Sequence, residues 1–274
     1  MYGPRCDITK REVVNLSTKY VMNIFGCGVI IELYMVTQSN QCLFCRSTNN
    51  LFLGAEHIFP ESLGNKEKIL PKGIICDKCN NGILARLDEE LLEFEAIKFL
   101  RTFNGIESKK GKIPISNFHN MTMRSVDRVH IQLDLKSKKN ITDQTAEGFK
   151  LNFRGNRKMD ETRLKLLARS MYKIGFELMC LDQGKDFMLT ERFDDVRDII
   201  IGKKDFSGYL LIGTNEKSGK AGMSYSFLSD IKTGKDFAVF DFNYLFIRII
   251  FDMERRITLV ESGTRLERFT VLKF

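Results

Sequence analysis

Two Cys-x-x-Cys pairs constrain the fold of this chain more than any other feature. The first pair is CLFC at 42–45 and the second is CDKC at 76–79, with residues 46–75 between them. Each such turn brings two thiolates to one metal ion, and two turns complete a tetrahedral zinc site with Zn–S distances of about 2.3 Å. The spacing therefore predicts a structural zinc ion bound by Cys42, Cys45, Cys76 and Cys79. The separation exceeds the roughly 15–20 residues of a simple zinc ribbon, which indicates an inserted element.

Charge and cysteine content narrow the class of protein. Lys and Arg number 43 against 35 Asp and Glu, and this net charge of +8 favours an anionic partner such as nucleic acid, although a solvated basic surface gives the same balance. An odd number of cysteines, four of them at metal spacing, favours a reducing cytoplasm over a disulfide scaffold. The apolar run 21–36 is interrupted by Asn23 and Glu32 and is too short to cross a membrane. We expect a cytoplasmic protein without a membrane segment.

The chain is long enough for more than one domain. Its 274 residues exceed the usual domain size of roughly 100–200 residues. We expect an N-terminal extension at 1–40, of uncertain role and with helical spacing at 10–19, then a zinc-stapled domain at 41–110. A larger α+β domain at 115–274 is expected to recognise substrate or partner. The predicted fold class is therefore α+β.

Within the zinc-stapled domain the apolar pattern predicts two strands and a helix. Runs at 51–59 and 69–75 have the length and composition of strands, and the polar stretch 60–68 between them predicts a turn. After the second cysteine pair, residues 80–100 carry apolar side chains at helical spacing. A hairpin followed by a helix is the expected local fold.

Basic residues at two places are candidates for binding phosphate. Lys66 and Lys68 lie in the predicted hairpin turn. Lys165, Arg169 and Lys173 follow one another at intervals of four residues in a predicted helix at 160–181, so they share one face. We expect these five residues to contact nucleic acid, while an exposed turn and a solvated helix face are the alternatives.

The inserted element contains a second motif. AEHIFPESLGN occupies 55–65, and CNNG follows from the second pair at 79–82. The order of these motifs resembles the zinc-containing branch of the HNH endonuclease superfamily, over about residues 41–100. The resemblance implies a ββα-metal fold, in which a hairpin and a helix hold one divalent ion against a scissile phosphate, and it implies a metal-dependent endonuclease.

The resemblance also implies roles for three residues. Hydrolysis of a phosphodiester needs a base for the water and a cation for the developing charge. His57 corresponds to the general base, and Glu56 and Asn80 to the ligands of a catalytic Mg²⁺ or Mn²⁺, which prefer oxygen donors. Each residue also has a structural alternative: a core imidazole, a surface carboxylate and a helix cap.

The motif departs from the family pattern in the second strand. Many relatives carry an Asn there that orients the catalytic His, whereas this chain has Leu70, Pro71 and Lys72. The competing interpretation is a non-catalytic zinc-knuckle module that binds nucleic acid or protein. A nuclease of this kind is further expected to act on DNA, in a restriction or antiviral defence system, with a partner protein or as a homodimer.

Overall fold

The computed structural model describes residues 11–15, 18–22, 41–127, 130–136, 141–145, 148–151, 160–214, 223–228, 239–253 and 269–273. The chain forms two compact units, Met1–Asn40 and Gln41–Phe274. In the first unit, strands β1 (Arg11–Asn15) and β2 (Thr18–Met22) pair antiparallel. The prediction of a helix at 10–19 is therefore wrong. These strands contain the β-branched residues Val13, Val14, Thr18 and Val21, which are common in strands.

The hairpin between the cysteine pairs is shorter than the sequence predicts. Strands β3 (Glu56–His57) and β4 (Ile69–Leu70) pair antiparallel, with Glu56 opposite Leu70 and His57 opposite Ile69. Residues 51–54 do not extend β3 because they bind the second cysteine turn. The Asp77 amide donates to the Leu51 carbonyl at 2.8 Å, and the Gly54 amide donates to Asp77 Oδ1 at 2.9 Å.

The predicted helix at 80–100 is divided into several pieces. Helix α1 (Asp77–Cys79) continues through a wide π-type turn at Asn80–Leu84 into α2 (Ala85–Glu93). Phe94 then adopts an extended conformation, with φ −60° and ψ 121°, and α3 (Glu95–Phe103) follows. The π-type turn places Asn80 at a widened point of the helix, a geometry often found at functional sites.

Two small sheets follow this helical region. Strands β5 (Ser116–Asn117), β6 (Met121–Ser125) and β7 (Ile131–Leu135) form an antiparallel sheet that packs against α3. Phe99 of α3 meets Phe118 edge-on at 6.0 Å, and the Thr102 and Ser116 hydroxyls lie 2.7 Å apart. Strands β8 (Ile141–Thr145) and β9 (Gly148–Leu151) form a further hairpin.

The central element is the long helix α4 (Glu161–Gln183). Its N-cap is Asp160, whose Oδ1 accepts from the Arg163 amide at 2.9 Å. The helix ends at Gly184, whose φ of 89° lies in the left-handed region. Helices α5 (Lys185–Met188) and α6 (Asp194–Ile201) follow it, separated by a 3₁₀ turn. The helix predicted at 160–181 is thus confirmed.

A five-stranded antiparallel sheet covers one side of α4. Its order is β11–β12–β13–β10–β14, and the strands are β10 (Tyr209–Thr214), β11 (Met223–Leu228), β12 (Val239–Tyr244), β13 (Ile247–Asp252) and β14 (Phe269–Lys273). At Gly175 a Cβ would lie 2.9 Å from Met253 Sδ and 3.0 Å from the Phe251 ring, so only glycine allows this approach. The α+β fold class is confirmed.

One hydrophobic core runs through the second unit. Residues from the cysteine turns, α2, α4 and the five-stranded sheet belong to the same buried cluster. The Ser170 hydroxyl of α4 donates to the Leu87 carbonyl of α2 at 2.7 Å. The helix α4 therefore packs directly on the zinc-stapled segment, and the proposed division of this unit into 41–110 and 115–274 stays a prediction.

Candidate zinc site and nuclease site

The four cysteines of the two pairs converge on one point. The Sγ atoms of Cys42, Cys45, Cys76 and Cys79 all lie within 4.8 Å of one another. Cys45 Sγ and Cys76 Sγ, which come from different pairs, are 3.7 Å apart. Sulfurs that each lie about 2.3 Å from a central zinc ion are about 3.8 Å apart in a tetrahedron. The cluster thus fits a structural zinc ion.

Contacts around the cluster hold the two cysteine turns together. The Leu43 amide donates to the Ile74 carbonyl at 3.0 Å, and Arg197 Nε of α6 donates to the Leu43 carbonyl at 2.8 Å. A hydrogen bond from the Cys79 thiol lowers the pKa of Cys42 to about 4, whereas the same contact raises the pKa of Cys79. Cys42 is therefore the cysteine of this cluster that most readily provides a thiolate, the form that binds zinc.

His57 lies at the end of β3 with one ring edge near the surface. Its side chain is 31% exposed, and Nε2 lies 3.3 Å from Glu61 Oε1. Glu61 Oε2 lies 3.3 Å from Nζ of Lys109, which is largely exposed. His57 Nδ1 is buried and has no hydrogen-bond partner within the described part of the chain. The Nε2 edge is therefore the accessible edge of the ring.

Sequence reasoning missed Glu61. It begins a 3₁₀ turn at Glu61–Leu63, directly after Pro60, and this turn brings its carboxylate back to the ring four residues earlier. The sequence feature that could have predicted this contact is a carboxylate four residues after His57 and directly after Pro60. Glu61 contacts the imidazole in a chain that lacks the orienting Asn of many relatives.

Glu56 points away from His57, as neighbouring residues of a strand do. Glu56 is 5% exposed, and its Oε1 lies 2.6 Å from Lys173 Nζ of α4. Lys173 is fully buried and also contacts Asp88 Oδ1 at 2.8 Å and Glu177 Oε2 at 3.6 Å. We call Glu56, Asp88, Lys173 and Glu177 the lysine tetrad.

Burial and charge shift the pKa values within the lysine tetrad. Burial lowers the pKa of Lys173, but the three carboxylates outweigh it and leave the pKa above the ordinary value. Burial raises the pKa of Glu177 well above its ordinary value and that of Asp88 to about 6, with Lys173 opposing both shifts. The ammonium of Lys173 therefore stays charged, and it compensates carboxylates that burial would otherwise disfavour.

Asn80 lies against the chain segment that leads into β3. Its Nδ2 donates to the Ala55 carbonyl at 3.3 Å, and a Cβ at Gly54 would lie 3.3 Å from the same Nδ2. The N-cap of α1 is Cys76 and that of α2 is Leu84, so the interpretation of Asn80 as the N-cap of the following helix is wrong. The amide is half-buried at the widened helical turn.

The three residues implied as catalytic thus contact three different partners. Asn80 binds the residue before Glu56, Glu56 binds Lys173, and His57 faces Glu61. A divalent ion needs oxygen ligands with free lone pairs. Asn80 fits that need through its amide oxygen, whereas Glu56 does not fit it while its buried carboxylate is paired with Lys173.

Comparison with known proteins bears on this segment. Residues 42–93 match the HNH endonuclease family. This HNH segment contains both cysteine pairs, β3, β4 and α2, and the family implies a phosphodiester hydrolase that acts on nucleic acid. No curated protein and no solved structure matches the chain. In the described part of the chain, no helix has both the length and the apolar character needed to cross a membrane.

The prediction that Lys165, Arg169 and Lys173 form a phosphate-binding stripe is wrong for Lys173, and for Lys165 and Arg169 it stays a prediction. Lys173 is fully buried in the lysine tetrad, so it cannot contact nucleic acid. Arg169 is half-buried and donates through Nη2 to the Ile200 carbonyl at 2.8 Å. Lys165 is paired with Glu161 at 2.8 Å. Spacing alone placed these residues on one face, but α2 and α6 cover most of that face.

Lys66 and Lys68 lie in the turn of the HNH hairpin, as predicted from the sequence. Lys66 is exposed, and Lys68 Nζ lies 5.8 Å from the ring centroid of Tyr225 in β11. Binding of nucleic acid by these two lysines stays a prediction.

Proposed function

We propose that this protein is an endonuclease that hydrolyses phosphodiester bonds of nucleic acid, with DNA as the expected substrate and His57 as the general base. The observation that carries the proposal is the position of His57. It ends β3 inside the HNH segment, and its Nε2 edge lies beside Glu61 and Lys109 near the surface. A base must reach the proton that it removes, and this edge is the accessible one.

The contacts of His57 indicate the roles of His57 and Glu61 in the reaction. His57 Nε2 accepts a proton from the attacking water, whose oxygen bonds to phosphorus while the bond from phosphorus to the leaving oxygen breaks; the leaving oxygen departs with the electron pair and takes a proton from solvent. The resulting imidazolium lies 3.3 Å from the Glu61 carboxylate, whose negative charge stabilises it as it forms. Lys109 Nζ lies 3.3 Å from the other oxygen of Glu61.

The zinc site and the catalytic ion have separate roles in this proposal. Zinc on the four cysteines clamps the two ends of the hairpin and the start of the helix that carries Asn80. The family resemblance implies Asn80 and Glu56 as ligands of Mg²⁺ or Mn²⁺, which would supply charge neutralisation at the phosphate, but only Asn80 fits that role while Glu56 is paired with Lys173. Glu56 must leave Lys173 before it can act as such a ligand.

A metal-titrated cleavage assay tests the proposal. Full-length protein is incubated with single- and double-stranded DNA and RNA, with Mg²⁺ or Mn²⁺ at increasing concentration. His57→Ala should lower the cleavage rate by about 10²–10⁴-fold, the usual contribution of a general base. His130→Ala is the matched control, because His130 is exposed and, among the described residues, its ring pairs with Asp127 of the same hairpin. Equal rates for wild type and His57→Ala would reject His57 as the base.

One observation favours the alternative, a non-catalytic zinc module that binds nucleic acid or protein. The Glu56 carboxylate is buried and paired with Lys173, so it is not displayed for a catalytic ion. If the protein binds nucleic acid but cleaves none of the four substrates with either Mg²⁺ or Mn²⁺, that result would support this alternative. A place in a restriction or antiviral defence system, with a partner protein or a second copy, stays a prediction.

A further inference from the structure

A cleft opens beside the HNH hairpin, between its turn and the five-stranded sheet. It has a volume of about 600 Å³, and its walls come from the hairpin turn at 63–68, the segment after α3, and strands β11 and β12. Cavities of this size are in the range that holds small organic ligands, roughly 300–1,000 Å³. The cleft therefore has room for one nucleotide.

Lys66 and Lys68 form a basic edge of this cleft, which we call the basic lip, and Asn65 stabilises the turn that carries them. It is 6% exposed, and its Nδ2 donates to the carbonyls of Phe59 and Lys68, each at 3.2 Å. Its Oδ1 accepts from the amides of Glu67 and Lys68. The buried amide thus holds the turn in one conformation, and this conformation directs Lys66 and Lys68 to the cleft. Two ammonium groups against one carboxylate, Glu67, give the lip a positive charge suited to phosphate.

Aromatic rings form the opposite wall. Tyr225 lies 5.9 Å from Phe59, and Phe59 stacks on Phe242 at 5.7 Å. Phe59 is fully buried, whereas Tyr225 is half-buried at the cleft. A half-exposed ring supported from behind by other rings offers a stacking surface for a base, and such stacking tolerates any base because every base has a π face.

The cleft and His57 share one short stretch of chain. Phe59 lines the cleft two residues after His57, so their Cα atoms are at most about 7 Å apart. Glu61, which contacts His57, leads directly into Leu63 and Gly64 of the cleft wall. A strand whose phosphate lies at His57 therefore reaches the cleft with an adjacent nucleotide.

We propose that this cleft binds one unpaired nucleotide of the strand that the HNH segment cleaves. Its base stacks on Tyr225, and its phosphate contacts Lys66 and Lys68, so that Lys68 moves from its place 5.8 Å above the centre of the Tyr225 ring to the phosphate. A base within a continuous duplex is stacked and paired and cannot enter such a cleft, so the substrate is single-stranded or has an extruded nucleotide at this point. This inference rests on the proposed nuclease function and names the class of substrate for it.

Equilibrium binding tests the inference separately from cleavage. Full-length His57→Ala protein is titrated into a fluorescently labelled single-stranded oligonucleotide and into the blunt duplex of the same sequence. Tyr225→Leu in this background should weaken single-strand binding about fivefold or more, the loss expected for one base stack, and leave duplex binding unchanged. Tyr225→Phe keeps the ring and should retain the wild-type affinity, which separates stacking from a folding defect.

The lysines provide a second, independent variant at the surface. Lys66→Gln with Lys68→Gln should flatten the slope of log K against log salt concentration by about 0.7 for each lysine on a single strand. Lys203→Gln with Lys204→Gln removes the same charge away from the cleft and should leave the slope unchanged. The inference would be overturned if the cleft variants lost equal affinity for duplex and for single strand. It would also be overturned if neither Tyr225→Leu nor the double lysine variant weakened binding of the single strand. Cleavage by His57→Ala at the wild-type rate would instead reject the proposed function.

Discussion

Lys173 Nζ of α4 lies 2.6 Å from Glu56 Oε1 of β3. This contact joins the HNH segment to a helix that lies outside the part of the chain matched by the family. The lysine is fully buried and is surrounded by the carboxylates of Glu56, Asp88 and Glu177. The strand that carries His57 is thus held from behind by α4.

Lys173→Met should destabilise the protein strongly. The substitution keeps the length of the side chain but leaves buried carboxylates without their counter-charge, a change that typically costs about 3–5 kcal/mol. The free energy of unfolding, measured by urea titration, should fall by that order. Lys165→Met on the same helix removes only an exposed pair with Glu161 and should leave the free energy of unfolding nearly unchanged. Similar losses in the two variants would show that the lysine tetrad does not stabilise the fold.

Cys76→Ser should remove the zinc ion and unfold the HNH segment. Structural zinc contributes directly to folding, and a serine hydroxyl is a poor substitute for a thiolate ligand. Bound zinc should fall from one ion per chain to near zero, measured by atomic absorption after dialysis, together with loss of the cooperative thermal transition. Cys180→Ser is the control, because Cys180 is a buried free thiol of α4 outside the four-cysteine cluster. A folded, zinc-replete Cys76→Ser protein would contradict the site.

Glu61→Gln should lower kcat and leave KM nearly unchanged. The glutamine keeps the size and a hydrogen-bond acceptor beside His57 Nε2, but it loses the charge that stabilises the imidazolium. We expect a decrease of about tenfold, which corresponds to about 1.4 kcal/mol and is close to the lower limit of the roughly 1.5–3 kcal/mol that a hydrogen bond to a charged group contributes. Steady-state cleavage kinetics check the prediction. A rise in KM with an unchanged kcat would assign Glu61 to substrate binding instead.

The stability difference between Asp88→Asn and wild type should depend on pH. Burial raises the pKa of Asp88 to about 6 in the folded protein, whereas an unfolded Asp titrates near about 3.9. The folded state therefore holds an extra proton between these values, and the associated stability is lost as pH rises through about 6. From pH 4 to pH 7, unfolding free energies should shift in favour of Asp88→Asn by an amount on the order of 1–3 kcal/mol. A difference independent of pH would exclude a raised pKa at Asp88.

Local patterns predicted the parts of the site that neighbouring residues build. The cysteine spacing predicted the four-sulfur cluster, because each pair forms within one tight turn. The helix at 161–183 followed from its apolar repeat. The same periodicity predicted an exposed basic face from Lys165, Arg169 and Lys173. Periodicity gives the face of the helix on which a residue lies, but not what covers that face.

Patterns in the amino-acid sequence were enough to predict the four-cysteine cluster, the α+β class and the HNH motif, because all three depend on spacing within short stretches of chain. The packing of the folded chain established that Lys173 is buried against Glu56, that Glu61 turns back onto His57, and that Tyr225 faces the hairpin turn. The pairing of Lys173 with Glu56 and the approach of Tyr225 to the hairpin join residues far apart in the chain. Such contacts arise when helices and sheets pack into one core, where burial selects a partner for each charge and each ring.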